Sequence, residues 1–432
     1  MATTKNNLTR SKELFERASK VIPGAAQTFS KGYTQYVQGV APIFLEHGKG
    51  SYVWDVDGNR YIDLVQGLLP NILGYADPGV NSAVSEQISR GHSFSMPHPL
   101  EVELAEKLVD IIPCAEMVRF GRNGSDATTA AVRCARAYTG RDIIACCGYH
   151  GWQDWYIGST ARHRGVPQAV RDLTKPFIYN DLSSLEAIFK ANPDRVAAVI
   201  MEPTNFVAPA SGFLEGVREI TSKYGALLIF DEICSGFHLG LGGAQKIYNV
   251  TPDLACFGKA MGNGFPISAI VGSSRIMPIF EEIFVSFTFA GEVSAIAASL
   301  EVIRRLESEP IITEMARRGA AIKKTIRDEA GKYGVQDKVV NLGYPQWSIT
   351  KFYDHTGSES IALKSLFQQE FIKRGILTLG THNLNATLSD ADVEHISGAY
   401  EEVMPVLAQA IKDDNAAELL EGEIIQVIFR VR

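Results

Sequence analysis

The sequence is poor in everything that would mark it for a membrane, a nucleic acid or a disulfide scaffold. Of 432 residues only six are cysteine: Cys114, Cys134, Cys146, Cys147, Cys234 and Cys256. They show no metal-ligand spacing and sit in apolar runs, so they read as reduced core thiols of a cytoplasmic protein. No basic tract or stripe interrupts the mixed charge, and a formal net charge of -7 works against nonspecific nucleic-acid binding. Arg162, Arg164 and Arg171 form only a loose basic cluster that reads as solvated surface. No apolar run is long enough to span a bilayer, and the opening Met1-Ala-Thr-Thr-Lys-Asn-Asn-Leu8 has no signal-peptide apolar core. Internal repeats and low-complexity tracts are absent too. What remains is a chain with 46% hydrophobic residues, enough for a large core and, by length, about two or three domains.

Periodicity organises that core. Residues 10–22 read as a helix stopped by Pro23-Gly24, and residues 51–55 and 60–64 flank Asp57-Gly58 as a hairpin. From about residue 70 to 305, apolar strand runs alternate with helical stretches, the pattern of an α/β fold with a mostly parallel sheet. A helix near Ala295 to Leu306 leads into a smaller α+β unit. This ends in a helix whose apolar stripe is Val393, Ile396, Tyr400, Val403, Leu407 and Ile411. The expected domains are a large one over 70–305 and a small one over 306–432, which residues 1–69 join; the tail 423–432 reads as a strand.

Three stretches inside the large domain carry chemistry. Lys259 ends the apolar run Leu254-Ala-Cys-Phe-Gly258 and opens the Gly-rich stretch Ala260-Met-Gly262-Asn-Gly264. A lysine at a strand end suits a Schiff base with a carbonyl cofactor, provided that the amine is partly desolvated. Upstream, Val118-Arg-Phe120 is followed by Gly121-Arg-Asn123-Gly124-Ser125-Asp126 and a helical stretch. The free N–H groups of that first turn, Gly124 for close approach and the Ser125 hydroxyl make an anion site fit for a phosphate. The alternative is a helix capped by Ser125 or Asp126 with no ligand. Third, the buried-strand pattern Ala226-Leu-Leu-Ile-Phe230 stops at Asp231-Glu232. Asp231 is placed to pair with a protonated pyridine nitrogen, whereas Glu232 equally suits capping of the next helix. Tyr149 offers an aromatic face for a ring, with core packing as its alternative.

Taken in order, these segments resemble the class III pyridoxal-phosphate aminotransferases, most nearly their glutamate-1-semialdehyde aminomutase branch. The likeness runs from about Leu14 to about Ile411. It rests on residues 52–63, Asn123-Gly-Ser-Asp-Ala127, residues 137–142, Tyr149-His-Gly151, Phe230-Asp-Glu-Ile233, Leu241-Gly-Gly-Ala-Gln245, Thr251-Pro-Asp253 and Gly258-Lys259. The resemblance implies fold type I, with a mostly parallel seven-stranded sheet and a smaller α+β domain. It implies pyridoxal 5'-phosphate as cofactor: Lys259 in the Schiff base, Asp231 on the pyridine nitrogen, and Asn123, Gly124 and Ser125 at the phosphate. Tyr149 and Ile233 would lie on opposite ring faces, with Glu202 nearby at a strand end. Thr288 would reach the phosphate of a second subunit, making a homodimer with shared sites. The implied activity moves an amino group from an amino-acid donor to an aldehyde or ketone by a ping-pong route. A glutamate-1-semialdehyde aminomutase or related isomerase is the alternative, and a cofactor-binding protein without activity is a further one.

Departures from the branch bear on the substrate. Where the aminomutases carry a carboxylate-binding arginine, this chain reads Gln27-Thr-Phe-Ser-Lys31, and Lys31 is a point charge rather than a fork. The branch's Gly-Phe-Arg reads Gly236-Phe-His238, and the loop beyond Tyr149-His-Gly151 is short. Lost guanidinium groups point to a hydroxyl-rich carbonyl acceptor such as a sugar or sugar-acid derivative. Lys31, Trp152 and His238 are candidate substrate residues, joined by Trp155, Tyr33, His382 and Asn383.

Overall fold

The computed structural model describes residues 6–426, which form two compact units. One spans Pro78–Glu309; the other combines the described residues up to Asp77 with those from Pro310.

The larger unit is built on seven strands: β1 (Met117–Gly121), β2 (Ile143–Cys147), β3 (Thr174–Pro176), β4 (Val196–Met201), β5 (Leu227–Asp231), β6 (Leu254–Phe257) and β7 (Ser268–Gly272). They lie in the order β1-β7-β6-β5-β4-β2-β3, and β7 alone runs antiparallel to its neighbours. Every residue of β4, β5, β6 and β7 is buried, as continuous runs of Val, Ile, Leu, Ala and Cys require when helices cover both sheet faces. The helix Gly124–Thr139 contributes Ala127, Ala130, Ala131, Cys134 and Ala135 to that core, together with Trp155 and Tyr156. The parallel strands and β1 all point one way, so the loops after Gly121, Cys147, Met201, Asp231 and Phe257 gather along one edge.

Glu232, the first residue beyond β5, is fully buried and turned away from that edge. Its carboxylate accepts the N–H groups of Ala244 and Gln245, both at 2.9 Å, and the Ser235 hydroxyl. It thereby fastens the start of the helix Gly243–Tyr248, one helix beyond Gly236–Leu239, the next helix that the sequence had it cap. Burial pushes this carboxyl up, and the three donors pull it back.

The smaller unit holds the hairpin Tyr52–Asp55 and Arg60–Asp63, extended by Leu45–Lys49 on one side and Ile376–Leu377 on the other. A second, three-stranded sheet joins Val339–Tyr344, Trp347–Phe352 and Thr381–Asn383. Its long helices are Ile311–Lys332 and Asp390–Asp413, and the stripe from Val393 to Ile411 is buried at all six positions. His382 and Asn383 are buried in this core rather than lining a pocket. The His382 ring bonds Tyr400 Oη at 2.8 Å and Ser348 Oγ at 3.2 Å, and burial holds it neutral, down at about 3. Asn383 donates to the Val65 carbonyl. Lys31 is exposed in the short turn Phe29–Lys31, and Tyr33 packs edge-on against Phe15. Of the tail, Glu423 forms an isolated antiparallel bridge with Gln38, and the strand expected over 423–432 lies from residue 427 onward outside the described residues.

Replacing Glu232 with Gln removes a charged acceptor from two N–H groups while preserving shape. Urea unfolding should show a loss of about 1–3 kcal/mol in stability, with the protein still able to take up its cofactor.

Candidate active site

Five strand-end loops of the larger unit converge at the edge defined above, where open α/β sheets bind ligands. Beyond β1, Asn123 caps the helix Gly124–Thr139: its side chain accepts Asp126 N–H at 3.1 Å, and Asp126 accepts Asn123 N–H at 3.1 Å. That reciprocal cap, not Ser125, closes the helix. Ser125 Oγ instead accepts Trp152 N–H at 3.2 Å, tying the helix start to the loop beyond β2. Gly151, at φ +105°, has no room for a side chain because a Cβ would collide with Ser125 Oγ.

Ile233 locks two of the loops together. A Cβ on Gly124 would come 3.2 Å from its Cγ2, and one on Gly258 would come 3.1 Å from its Cδ1. The phosphate-type helix start and the lysine loop are thus packed on the same side chain. Lys259 adopts a left-handed φ of +44°, a conformation that costs a non-glycine residue of order 1–3 kcal/mol and marks a position held by its surroundings. Its Nζ donates to Cys234 Sγ at 2.6 Å.

Asp231, 4% exposed, is the electrostatic centre. Oδ1 accepts Ile233 N–H at 3.1 Å, and Oδ2 meets His150 Nδ1 at 2.8 Å. The other ring nitrogen, Nε2, faces the Cys147 carbonyl at 3.1 Å. A carbonyl only accepts, so in this bond Nε2 is the donor. His150 packs parallel to Trp155 and edge-on to Tyr156, which fixes its plane. In the sequence His150 stands only as part of Tyr149-His-Gly151, because its partner lies 81 residues away. Cys234 was missed for the same reason.

Glu202 follows β4, and its Oε2 accepts Tyr149 N–H at 3.2 Å. Burial first, then the Asp231 charge, pushes the Glu202 carboxyl up to about 6, against the pull of His150 and Lys259. For Lys259, burial pulls the amine down, but Cys234, Asp231 and Glu202 outweigh it and hold the amine above its usual value. The amine is desolvated as the sequence expects, but its acidic neighbours hold it above its usual value rather than below it.

The donor set fits pyridoxal phosphate. It offers N–H groups of a helix start that have no acceptor within the helix, a hydroxyl, a buried carboxylate with lone pairs to spare, an amine and an aromatic face. Family membership rests on comparison. The Aminotransferase class-III profile matches residues 33–387. The chain belongs to the class III aminotransferases. It is similar to a 3-aminobutyryl-CoA aminotransferase of Cloacimonas acidaminovorans, 42% identical over 75% of this chain and 80% of that one. A glutamate-1-semialdehyde 2,1-aminomutase of Syntrophobacter fumaroxidans is 36% identical over 85% and 90%. Among solved structures, the PLP internal aldimine form of the FumI protein of Sphingopyxis sp. MTA144 superposes with a TM-score of 0.86 at 29% identity, covering 94% of this chain and 98% of that one. An omega-transaminase from Sphaerobacter thermophilus gives 0.84, also at 29%, over 93% and 100%. This class III enzyme is therefore a PLP-dependent aminotransferase of fold type I.

The remaining sequence candidates divide. Tyr149, 48% exposed, and Trp152, 65% exposed, stand at the site's mouth. Trp155 is buried, its indole N–H donating to Thr129 Oγ1 at 3.0 Å, so it packs rather than meets substrate. His238 is also buried, at 1% exposure, within the helix Gly236–Leu239. Thr288 is exposed on the loop before the helix Val293–Ser308. Lys31, Tyr33, His382 and Asn383 belong to the smaller unit. No helix among the described residues is long and apolar enough to cross a membrane.

Replacing His150 with Phe keeps the ring packing and deletes the bond to Asp231. Loss of one charge-assisted hydrogen bond should lower kcat about ten- to a hundredfold, with cofactor absorbance showing that the site still fills.

Proposed function

We propose that the enzyme transfers an amino group from an amino-acid donor to an aldehyde or ketone in two half-reactions, with Lys259 as the residue that holds the cofactor and carries the proton. The convergence of Lys259, Asp231 and the Gly124–Ser125 helix start at one sheet edge carries this reading. When bound, pyridoxal phosphate supplies an aldehyde for condensation with amines and a ring that draws electrons from the donor carbon. Lys259 would hold that aldehyde and, once the donor amine has taken its place, would serve as the base at the donor carbon. Asp231, braced by His150 and the Ile233 N–H, keeps the ring nitrogen protonated. Gly124 and Ser125 N–H groups hold the phosphate dianion. Tyr149 and Ile233 would flank the ring.

The acceptor on this reading is neutral and rich in hydroxyls, as a sugar or sugar-acid derivative is. Its support is the sequence, where Gln27-Thr-Phe-Ser-Lys31 and Gly236-Phe-His238 stand in place of the branch's arginines. The relative that acts on 3-aminobutyryl-CoA favours a second reading, a 3-oxoacyl thioester acceptor. We further propose a homodimer with shared sites: Thr288 is exposed between Phe284, 83% exposed, and Phe289, 55% exposed.

Two measurements check these points. Holoenzyme given glutamate or alanine alone should shift its cofactor absorbance, and a panel of keto sugars, 3-oxobutyryl-CoA and glutamate-1-semialdehyde then ranks the acceptors by kcat/KM. A preference for glutamate-1-semialdehyde above all others would replace the transferase by the aminomutase. In Lys259→Ala, borohydride should fix no cofactor to the chain and turnover should vanish.

A further inference from the structure

Cys234 stands between residues that are themselves fixed. On one side, Ile233 donates its N–H to Asp231 Oδ1 and packs where side chains on Gly124 and Gly258 would otherwise lie. On the other, the Ser235 hydroxyl donates to Glu232, and a Cβ on Gly236 would come 2.6 Å from the Phe257 ring. The turn beyond β5 therefore sets where the Cys234 sulfur lies. Lys259 follows Gly258, which meets the same Ile233 side chain, and its backbone is held at a left-handed φ of +44°. Both partners of the Nζ–Sγ contact at 2.6 Å thus hang from one wedge.

Carboxylates stand nearby, yet the amine meets the sulfur. Asp231 gives Oδ1 to the Ile233 N–H and Oδ2 to His150 Nδ1, and Glu202 gives Oε2 to the Tyr149 N–H. The choice of acceptor has a chemical consequence. A bond between an ammonium and a carboxylate is about twice as strong as one between neutral partners, and it resists release of the amine. A thiol sulfur is a weak acceptor, so it orients an ammonium without binding it tightly. Burial pushes the Cys234 thiol up against the pull of Lys259, and at neutrality the amine faces an uncharged thiol.

We propose that Cys234 is a positioning residue for Lys259: its sulfur holds the amine in one orientation while the cofactor is absent, and receives it again each time the amino donor displaces it. The second half rests on the aminotransferase reading; the first stands on the contact alone.

Two consequences of opposite sign follow. Burial pulls the Lys259 amine down, and Cys234 is foremost among the groups that hold it up, ahead of Asp231 and Glu202. Without the sulfur the amine loses its proton at lower pH, so more of it is free to take up the cofactor near neutrality. The same amine is then a weaker base toward the donor carbon, and the donor half-reaction slows. Lost packing alone would slow both.

Apoenzyme carrying Cys234→Ala or Cys234→Ser puts this to the test. Acetylation of Lys259 by acetic anhydride over a range of pH, read by mass spectrometry of its peptide, titrates the amine with no cofactor present. In Cys234→Ala the midpoint should fall, leaving about three- to tenfold more free amine at neutral pH. Cys234→Ser, which keeps a hydroxyl acceptor, should lie between, and it reads the same shift by itself if Cys234→Ala does not fold. Asp231, Glu202, Tyr149 and, through Asp231, His150 also face the amine and are the same in both variants, so the shift belongs to the sulfur. Uptake of pyridoxal phosphate, followed by absorbance, should quicken by the same factor while the donor half-reaction slows. An unmoved midpoint overturns the proposal, as does slower uptake together with slower turnover. If no amino acid aminates the cofactor in the parent enzyme, the aminotransferase reading fails by itself, and the apoenzyme midpoint still decides the role of Cys234.

Discussion

The structure of the larger unit depends on one constraint: parallel strands all end on the same edge. There the backbone leaves the sheet and its polar groups need new partners. Each loop solves this differently. After β1, a helix begins and leaves N–H groups for an anion. After β2, the Cys147 carbonyl receives His150 Nε2. After β4 the Glu202 carboxylate receives the Tyr149 N–H, and after β5 Asp231 receives the Ile233 N–H. The groups that serve chemistry are the same ones that terminate the sheet, so the fold and the site share one set of hydrogen bonds.

The electrostatic balance follows from that crowding. Asp231, Glu202 and the Cys234 thiol lie near a single amine on Lys259; Asp231 raises Glu202 and Cys234, Lys259 lowers both, and His150 lowers Glu202. Burial alone would neutralise every one of these groups. Held together, Asp231 is hydrogen-bonded to His150, Lys259 is held above its usual value, and Glu202 is raised to about 6. A site of this kind has protons to move at neutral pH without any single strongly acidic or basic group.

Much of this was legible along the chain. An apolar run that stops at Asp231, another that stops before Lys259 and a turn that opens a helix at Gly124 are local patterns, and strand direction alone brings them to one edge. Pairings across strands left no such trace. His150 looked like one member of a motif, and Cys234 like a core thiol, until the sheet placed them against Asp231 and Lys259. Polar or aromatic type misled where burial decides: Trp155, His238, His382 and Asn383 suit a hydroxyl-rich pocket by chemistry, yet each is packed into a core. Ser125 was a plausible cap, but Asn123 and Asp126 formed the reciprocal cap first and released it to hold the loop of Trp152.

The neighbouring carboxylates of Asp231 and Glu232 show how narrowly such roles are set. Both are buried acids with three donors or fewer around them, and composition cannot tell them apart. Asp231 is the last residue of β5 and Glu232 the first beyond it, so a single step along the chain separates them. Asp231 points along the edge toward His150, with lone pairs left over, while Glu232 turns under the sheet and is consumed by Ser235, Ala244 and Gln245. The residue with unspent acceptor capacity is the one available for a cofactor, and the satisfied one is structural. Shifting this strand end by one residue would exchange those positions and place the longer glutamate where the aspartate's reach is needed, so the register of β5 against β4 and β6 sets the chemistry as much as the identity of the acid does.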